Sequence, residues 1–380
     1  VLESYKNQFN EDPQYQFRAP GRINIIGEHV DYNDGFVLPA AIDKEIFFAV
    51  SKKPENTTCR IYALDLQESF TFSLDDNHQT VPQSWMNYLF GVLEELKIRG
   101  LQLGSFDMVF ASTIPMGSGL SSSAALECGF AFILNELFNL GLSKKDIAII
   151  GQKSENNFVG VNCGIMDQYA SVFGQDEKVI LLDTATLEHR YYSAHLEGYS
   201  LVLFNSFVKH THLTSGYNDR RNDVENGKRI ILEKFPNISS FREVNRSILN
   251  ELKEELGETI YKRCLYVVEE IERVEKAVIA FEANEYLELG KLLTETHYGL
   301  SQLYEVSCPE CDFLVDEALK LNGVAGARMM GGGFGGCTLN LIKDEEIENV
   351  TETLKKLYKE KYAIETLAYT VKISEGISQI

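Results

Sequence analysis

The sequence predicts an α+β fold in two halves, mixed sheets with helices. Three observations predict it. Alternating strand patterns occur before residue 112, helix-period patterns are interleaved with them, and a charge-laced helical stretch from about residue 219 gives way to strands near the end. The boundary is expected near 175–195, dividing the chain into 1–180 and 181–380.

Each element has its own signal. Residues 47–74 read as strands, since Phe70, Phe72 and Leu74 alternate with Thr71 and Ser73. Residues 84–99 read as a helix, with Trp85, Leu89, Val92 and Leu96 recurring at i, i+4, i+7 and i+11. Phe106–Ala111 reads as a strand. A Gly/Ser-rich turn follows, then a helix from about Ser122 with Leu126, Phe130, Ile133 and Leu137 on one face. Ser143 and Asp146 have the spacing of a capping box for the next helix, which fades near Asn156. Gly160–Gly164 reads as a turn. In the second half, Glu269 with Arg273 and Glu272 with Lys276 are i,i+4 pairs expected on a solvated face. Strands return at 324–330, 337–342 and 367–373.

Composition narrows the function. Of 380 residues, 44% are hydrophobic and 24% charged, so the chain can bury a full core without disulfide staples. Asp and Glu number 56 against 36 Lys and Arg, a net charge of −20. Such a surface repels phosphate backbones and anionic lipid, so neither nucleic acid nor membrane is expected as a partner. A bound anion must be held by local donors. The longest apolar stretch, Ala124–Leu142, is interrupted by Glu127, Asn135 and Glu136, too polar for a membrane span. Val1–Asn10 is polar, with no signal-peptide core and no initiating Met, as expected of a trimmed start. Seven scattered cysteines, an odd number, point to reduced thiols and a cytoplasmic location. A monomer is expected.

Three segments carry chemistry. In Pro115-Met-Gly-Ser-Gly-Leu-Ser-Ser-Ser-Ala-Ala-Leu-Glu127, two glycines permit close backbone approach and serines sit where a helix begins. Free N–H groups and the helix dipole make such a terminus an anion site. No GK[ST] follows, so it is not a Walker A loop; the bland alternative is a serine-capped helix. In Arg18–Asn33, the run Glu28, His29, Asp31 and Asn33 beside Gly27 is dense in donors and acceptors, as a polyhydroxylated ligand requires. A solvated polar turn is the alternative, and one His with two carboxylates is a weak transition-metal signature. In Gly160-Val-Asn-Cys-Gly-Ile-Met-Asp-Gln168, Asp167 follows an apolar pair and is a candidate base, or else a turn residue.

Other signals lead elsewhere. Gly331–Gly336 contains a formal GxGxxG, but a strand rather than a helix is expected after it, so dinucleotide binding is rejected. Cys308 and Cys311 have no second CxxC and read as packed thiols. His210 and His212 read as surface residues.

In this order the segments resemble the galactokinase family of the GHMP small-molecule kinases. The sugar signature GRxNxIGEHxDYNxGxVLPxAID runs from Gly21 to Asp43, PxGxGLSSSAxLE from 115 to 127, and GVxCGIMDQ from 160 to 168. Gly331–Cys337, Trp85-x-Asn-Tyr88, Ser215-x-Tyr-x-x-Arg-Arg221 and Glu305–Glu310 are similar to further family motifs. The resemblance implies a two-domain GHMP kinase fold with its active site in the interdomain cleft. It implies transfer of the γ-phosphoryl group of ATP to the C1 hydroxyl of α-D-galactose, with Mg²⁺. Glu28, His29, Asp31, Gly164 and Tyr217 should then contact the sugar. Asp167 should face the C1 hydroxyl with Arg22 beside it, a cation that stabilises its charge. Gly117, Ser118, Gly119, Leu120, Ser121, Ser122 and Ser123 should wrap the phosphates, Ser122 and Glu155 hold the metal, and Trp85 and Tyr88 lie near the adenine. Trp85 also fits the core face of its helix. An N-acetylgalactosamine kinase shares the same motifs, and a non-catalytic galactose sensor is a further alternative, although such sensors can lack residues that are intact at Ser121–Ala125. Gly216, Tyr266, Gly299, Ser301, Gln302 and Cys311 depart from the usual family residues.

Overall fold

The computed structural model describes residues 1–53, 57–209 and 213–380; His210 and His212 lie outside the described residues. The first half begins with α1 (Leu2–Phe9) and β1 (Tyr15–Asn24), then β2 (Phe36–Val37), β3 (Pro39–Lys53), β4 (Thr58–Ala63) and β5 (Glu68–Ser73). It continues through α2 (Met86–Ile98), β6 (Ser105–Ser112), α3 (Ser122–Phe138), α4 (Lys144–Lys153) and α5 (Met166–Phe173). A hairpin, β7 (Lys178–Asp183) and β8 (Glu188–Ser193), follows, so the expected cut at 180/181 falls inside β7. The second half runs β9 (Tyr199–Lys209), α6 (Leu213–Lys234), α7 (Arg246–Glu251), α8 (Lys253–Glu282), α9 (Tyr286–Tyr298), α10 (Pro309–Ala318), β10 (Val324–Met329), β11 (Gly335–Lys343), α11 (Ile347–Tyr362), β12 (Leu367–Thr370) and β13 (Ser378–Gln379).

The strands form three sheets. A six-stranded sheet has the order β13-β1-β3-β6-β4-β5, a four-stranded sheet β10-β11-β9-β12, and a three-stranded sheet β2-β7-β8. Among the described residues only β4 and β6 pair in parallel. The chain end returns to the first half, where Ser378 and Gln379 pair with Arg18 and Phe17. Helices α2 and α3 bury the apolar faces their spacing announced. Leu89, Val92 and Leu96 are fully buried, as are Phe130 and Ile133. Burial of each such side chain is worth about 1.5–3 kcal/mol. Trp85 departs from this face: it is the N-cap of α2, half-buried, and its Nε1–H donates to Glu68 at 2.6 Å.

Helix α4 starts on the expected capping box. Ser143 Oγ accepts from Asp146 N at 3.1 Å, and Asp146 Oδ2 accepts from Ser143 N at 3.0 Å. Its end is not a simple fade. The chain passes into a π turn, Ser154–Val159, whose wider winding redirects side chains. A second π turn, Gly299–Tyr304, ends α9 in the same way.

The charge pattern on α8 is corrected. Arg273 is buried rather than solvated, and its firm partner is Glu270, itself wholly buried. Glu269 lies 3.8 Å from Arg273, and Glu272 and Lys276 form no ion pair. This face of α8 points inward because Glu270 accepts hydrogen bonds from Gly27 N and Thr296 Oγ1, both at 2.9 Å. Two departures from the family pattern explain one another. A Cβ on Gly299 would stand 2.8 Å from the Tyr266 ring, so the tyrosine occupies the space a larger residue at 299 would need.

Candidate active site

The segment Glu28–Asp31 sits between the two halves, and each side chain has a distinct environment. Glu28 is buried at the junction of β1 and the glycine-rich bend. Its Oε1 accepts from Arg328 Nη2 at 2.9 Å and from Gly331 N at 2.8 Å. Burial alone would raise its pKa, but Arg328, Arg22 and the Gly331 N–H outweigh it and hold the carboxyl below its ordinary range. Gly331 has φ +86, a conformation that brings this N–H inward at little cost only for glycine. His29 Nδ1 lies 2.6 Å from the Tyr32 hydroxyl, and burial pushes its pKa down to about 4. Asp31 Oδ2 accepts the first-turn amide of α5, Met166 N, at 3.3 Å. Its pKa is pushed up to about 7 by burial and then by the charge of Asp167. A Cβ on Gly164 would lie 1.9 Å from Asp31 Oδ2, so only glycine lets the two segments meet.

Asp167 lies in the first turn of α5, where the helix dipole favours a negative group. Arg22 grips it with a fork: Nε to Oδ1 at 2.7 Å and Nη2 to Oδ2 at 2.9 Å. The third guanidinium nitrogen donates to the Gly119 carbonyl at 2.6 Å, which ties the pair to the Gly/Ser loop. Ser121 is the N-cap of α3, but its side chain makes no cap bond; its hydroxyl donates to Asp167 instead. The simple serine-capped helix is therefore not what forms. Arg22, Glu28, His29, Asp31, Gly164, Asp167 and Tyr217 share one cavity of about 170 Å³, with Gly331 and Gly332 opposite. The first half supplies most of its walls and the second half Tyr217 and the glycines.

The other side of the Gly/Ser loop is apolar. A cavity of about 210 Å³ is lined by Trp85, Tyr88, Phe110, Met116, Leu126, Ser122 and Ser123, among others. Between the two cavities run residues 117–123, with Gly117 at φ 70, Gly119 at φ 72 and Ser121 at φ 58. Ser118 Oγ closes the turn onto the Pro115 carbonyl at 2.7 Å, and Leu120 O accepts Arg22 N at 3.1 Å. A larger cavity, about 380 Å³, is lined by Asp176, His195 and Lys372 and holds none of the motif residues.

The first π turn brings Glu155 to the junction of the two cavities. Burial, followed by the Asp167 charge, pushes its pKa up to about 7. Its Oε1 accepts from Ser123 Oγ at 3.3 Å, whereas the Ser122 hydroxyl makes no hydrogen bond among the described residues. This junction has excess negative charge and hard oxygen donors, which fits a magnesium ion sharing a carboxylate with substrate phosphates.

Several residues here were given no role in the site by sequence reasoning. Arg328, wholly buried, clamps Glu28 and the carbonyl of Ile25. Tyr266 donates its hydroxyl to the Glu28 carbonyl at 2.9 Å. Glu127 is buried on α3; among the described residues neither carboxyl oxygen has a partner in hydrogen-bond geometry, Ser154 and Gln168 being its polar neighbours, and desolvation, then the charge of Glu155, pushes it well above the carboxylate range. Cys163 lines the carboxylate-rich cavity. Glu127 carried a signal as a carboxylate interrupting an apolar helix, Tyr266 as a departure from the family pattern, and Cys163 as part of the third segment; Arg328 is brought in by contacts far apart in the chain.

Comparisons with known proteins point to one family. Three family profiles match: the galactokinase galactose-binding signature over residues 3–52, the GHMP kinases N terminal domain over 87–175, and the GHMP kinases C terminal over 277–360. A galactokinase of Thermosipho africanus is 42% identical over 363 residues, covering 96% of this chain and 99% of that protein. One from Clostridium acetobutylicum is 38% identical over 382 residues, covering 100% and 98%. The crystal structure of Lactococcus lactis galactokinase complexed with galactose matches at TM-score 0.94 and 32% identity, over 100% of this chain and 98% of that one. A Methanococcus jannaschii mevalonate kinase shares the fold at 18% identity and TM-score 0.68, covering 95% of this chain and 98% of its own. The chain belongs to the galactokinase family of the GHMP kinases.

Proposed function

We propose that this chain transfers the γ-phosphoryl group of ATP to the C1 hydroxyl of α-D-galactose, giving galactose 1-phosphate and ADP. The observation that carries the reading is the Arg22–Asp167–Ser121 cluster, which stands where the polar cavity meets the Gly/Ser loop. The sugar occupies the polar cavity. Glu28 and Asp31 accept its hydroxyl protons, His29 and Tyr217 flank it, and Gly164 leaves it room. ATP lies along residues 117–123, with its adenine in the apolar cavity beside Trp85 and Tyr88. The amides at the start of α3 point at the phosphates, local donors that offset the protein's net negative field.

Asp167 orients the C1 hydroxyl and receives its proton as the oxygen–phosphorus bond forms. The Arg22 fork holds both carboxylate oxygens in one plane, so the direction of attack is set before substrate arrives. Phosphoryl transfer through a loose transition state depends more on alignment than on a strong base. Glu155 and the hydroxyl of Ser122 would hold Mg²⁺, which supplies neutralisation of the phosphate charge. Ser121, already on Asp167, keeps the loop and the acceptor site in register.

The test is ADP release measured with galactose, with N-acetylgalactosamine and without sugar. Galactose-dependent ADP is expected. Preference for N-acetylgalactosamine would reassign the substrate, and sugar binding with no ADP would make the chain a sensor.

A further inference from the structure

His29 has two ring nitrogens, and the wall behind it decides which one carries the proton. Nδ1 faces the Tyr32 hydroxyl at 2.6 Å, and that hydroxyl faces the Tyr304 hydroxyl at 3.0 Å. Nε2 is buried and has no hydrogen-bond partner among the described residues. Tyr304 is 0% exposed, so no solvent reaches it. Among the described residues its hydroxyl has one hydrogen-bonding neighbour, Tyr32. A buried hydroxyl that kept its proton unbonded would cost about 1–3 kcal/mol. Tyr304 therefore donates to Tyr32. Tyr32, having accepted, donates onward to His29 Nδ1. A ring that accepts at Nδ1 and is neutral must carry its proton on Nε2.

We propose that Tyr304 and Tyr32 act as positioning residues that fix His29 as the Nε2–H tautomer, so that its ring presents an N–H donor to a hydroxyl oxygen of the bound sugar. This rests on the proposed function for the sugar contact, not for the relay. The pocket then has a built-in polarity. Glu28 and Asp31 accept hydrogen bonds from sugar hydroxyls, whereas His29 donates one, so a bound hydroxyl can accept from the ring and donate to a carboxylate. The second π turn has a role in this, since it delivers Tyr304 behind the signature loop.

The test is nitrogen-15 NMR of the whole protein labelled in histidine, near neutral pH, with Tyr304→Phe as the variant. The expected result is a wild-type His29 protonated on Nε2. The variant should populate the Nδ1–H form and raise KM for galactose by about 5-fold, the worth of one misdirected hydrogen bond, with a smaller change in kcat. A wild-type ring protonated on Nδ1 overturns the proposal outright, whatever the variant does. A Tyr304→Phe ring still wholly Nε2–H removes Tyr304 from the relay. Galactose should shift the His29 resonances; if it leaves them unmoved while Nε2–H is intact, the sugar contact fails and the relay stands.

Discussion

The two cavities are built by opposite strategies. The polar cavity, to which we assign the sugar, is walled by charged and hydrogen-bonded side chains whose partners are already in place: Glu28 on Arg328, Asp167 on Arg22, Asp31 on the α5 amide. The second cavity, to which we assign the nucleotide, is largely apolar; its polar lining comes from Asp65, Ser112, Ser122 and Ser123, and the glycine-bearing backbone of 117–123 runs beside it. A fixed pattern of hydroxyls calls for fixed partners, and building them in advance removes the cost of ordering them during binding. A triphosphate needs charge neutralisation and close approach, which glycine-bearing backbone and a helix terminus supply without long side chains.

The comparison is broken most severely at Asp167, the polar-cavity carboxylate tied to the Gly/Ser loop through Arg22 and Ser121. Asp167→Ala should lower kcat by about 10²-fold or more, with galactose and ATP affinities far less affected. Near-normal turnover in steady-state assays would remove Asp167 from the reaction. Glu155→Gln comes next. It should raise the Mg²⁺ concentration for half-maximal rate by roughly 10–100-fold, the scale for disturbing a metal's surroundings, and a metal titration measures it. Arg22→Lys keeps the charge but loses the fork, so kcat should fall about 10-fold, the worth of one charge-assisted hydrogen bond. Unchanged kinetics would show that charge alone suffices.

Trp85→Ala sharpens the contrast because it touches the nucleotide side alone. KM for ATP should rise by about 5-fold through lost apolar contact, with KM for galactose unchanged. A parallel rise in both would mean the cavities are not separate. The smallest effect concerns pH. Asp31 and Glu155 are both pushed up to about 7, so each is protonated in part at neutrality. As pH falls from about 8 to about 6, protons compete with the sugar at Asp31 and with the metal at Glu155, so both apparent affinities should weaken severalfold. For the ligand-free protein the sign is reversed. A carboxyl with a raised folded pKa takes up protons on folding, so the stability owed to these two groups falls as pH rises from about 4 to about 7. Substrate titrations and melting curves across that range check the two halves of this prediction.

Much of the machinery could be read before any coordinates. The alternation at Phe70–Leu74, the helix face at Leu89–Leu96 and the Ser143–Asp146 box each rest on neighbours within a few residues, and local periodicity reports such interactions directly. Charge on α8 misled for the same reason: i,i+4 spacing reports the face of a helix but not what lies opposite it, and opposite Glu270 lies Gly27. The two π turns had no pattern of their own, because a single wide turn has no repeat to detect.

By itself the sequence determined the α+β class, the Gly/Ser loop before a helix, and a signature dense enough in carboxylates and amides for a polyhydroxylated ligand. Only the tertiary structure decided that Ser121 gives up its capping bond for Asp167, that Arg328 holds Glu28, and that Tyr304 stands behind His29. Those partners are 46, 300 and 275 positions apart (167 − 121, 328 − 28, 304 − 29). The energy that fixes them comes from burying polar groups that must find partners, a requirement the chain meets only once it has folded.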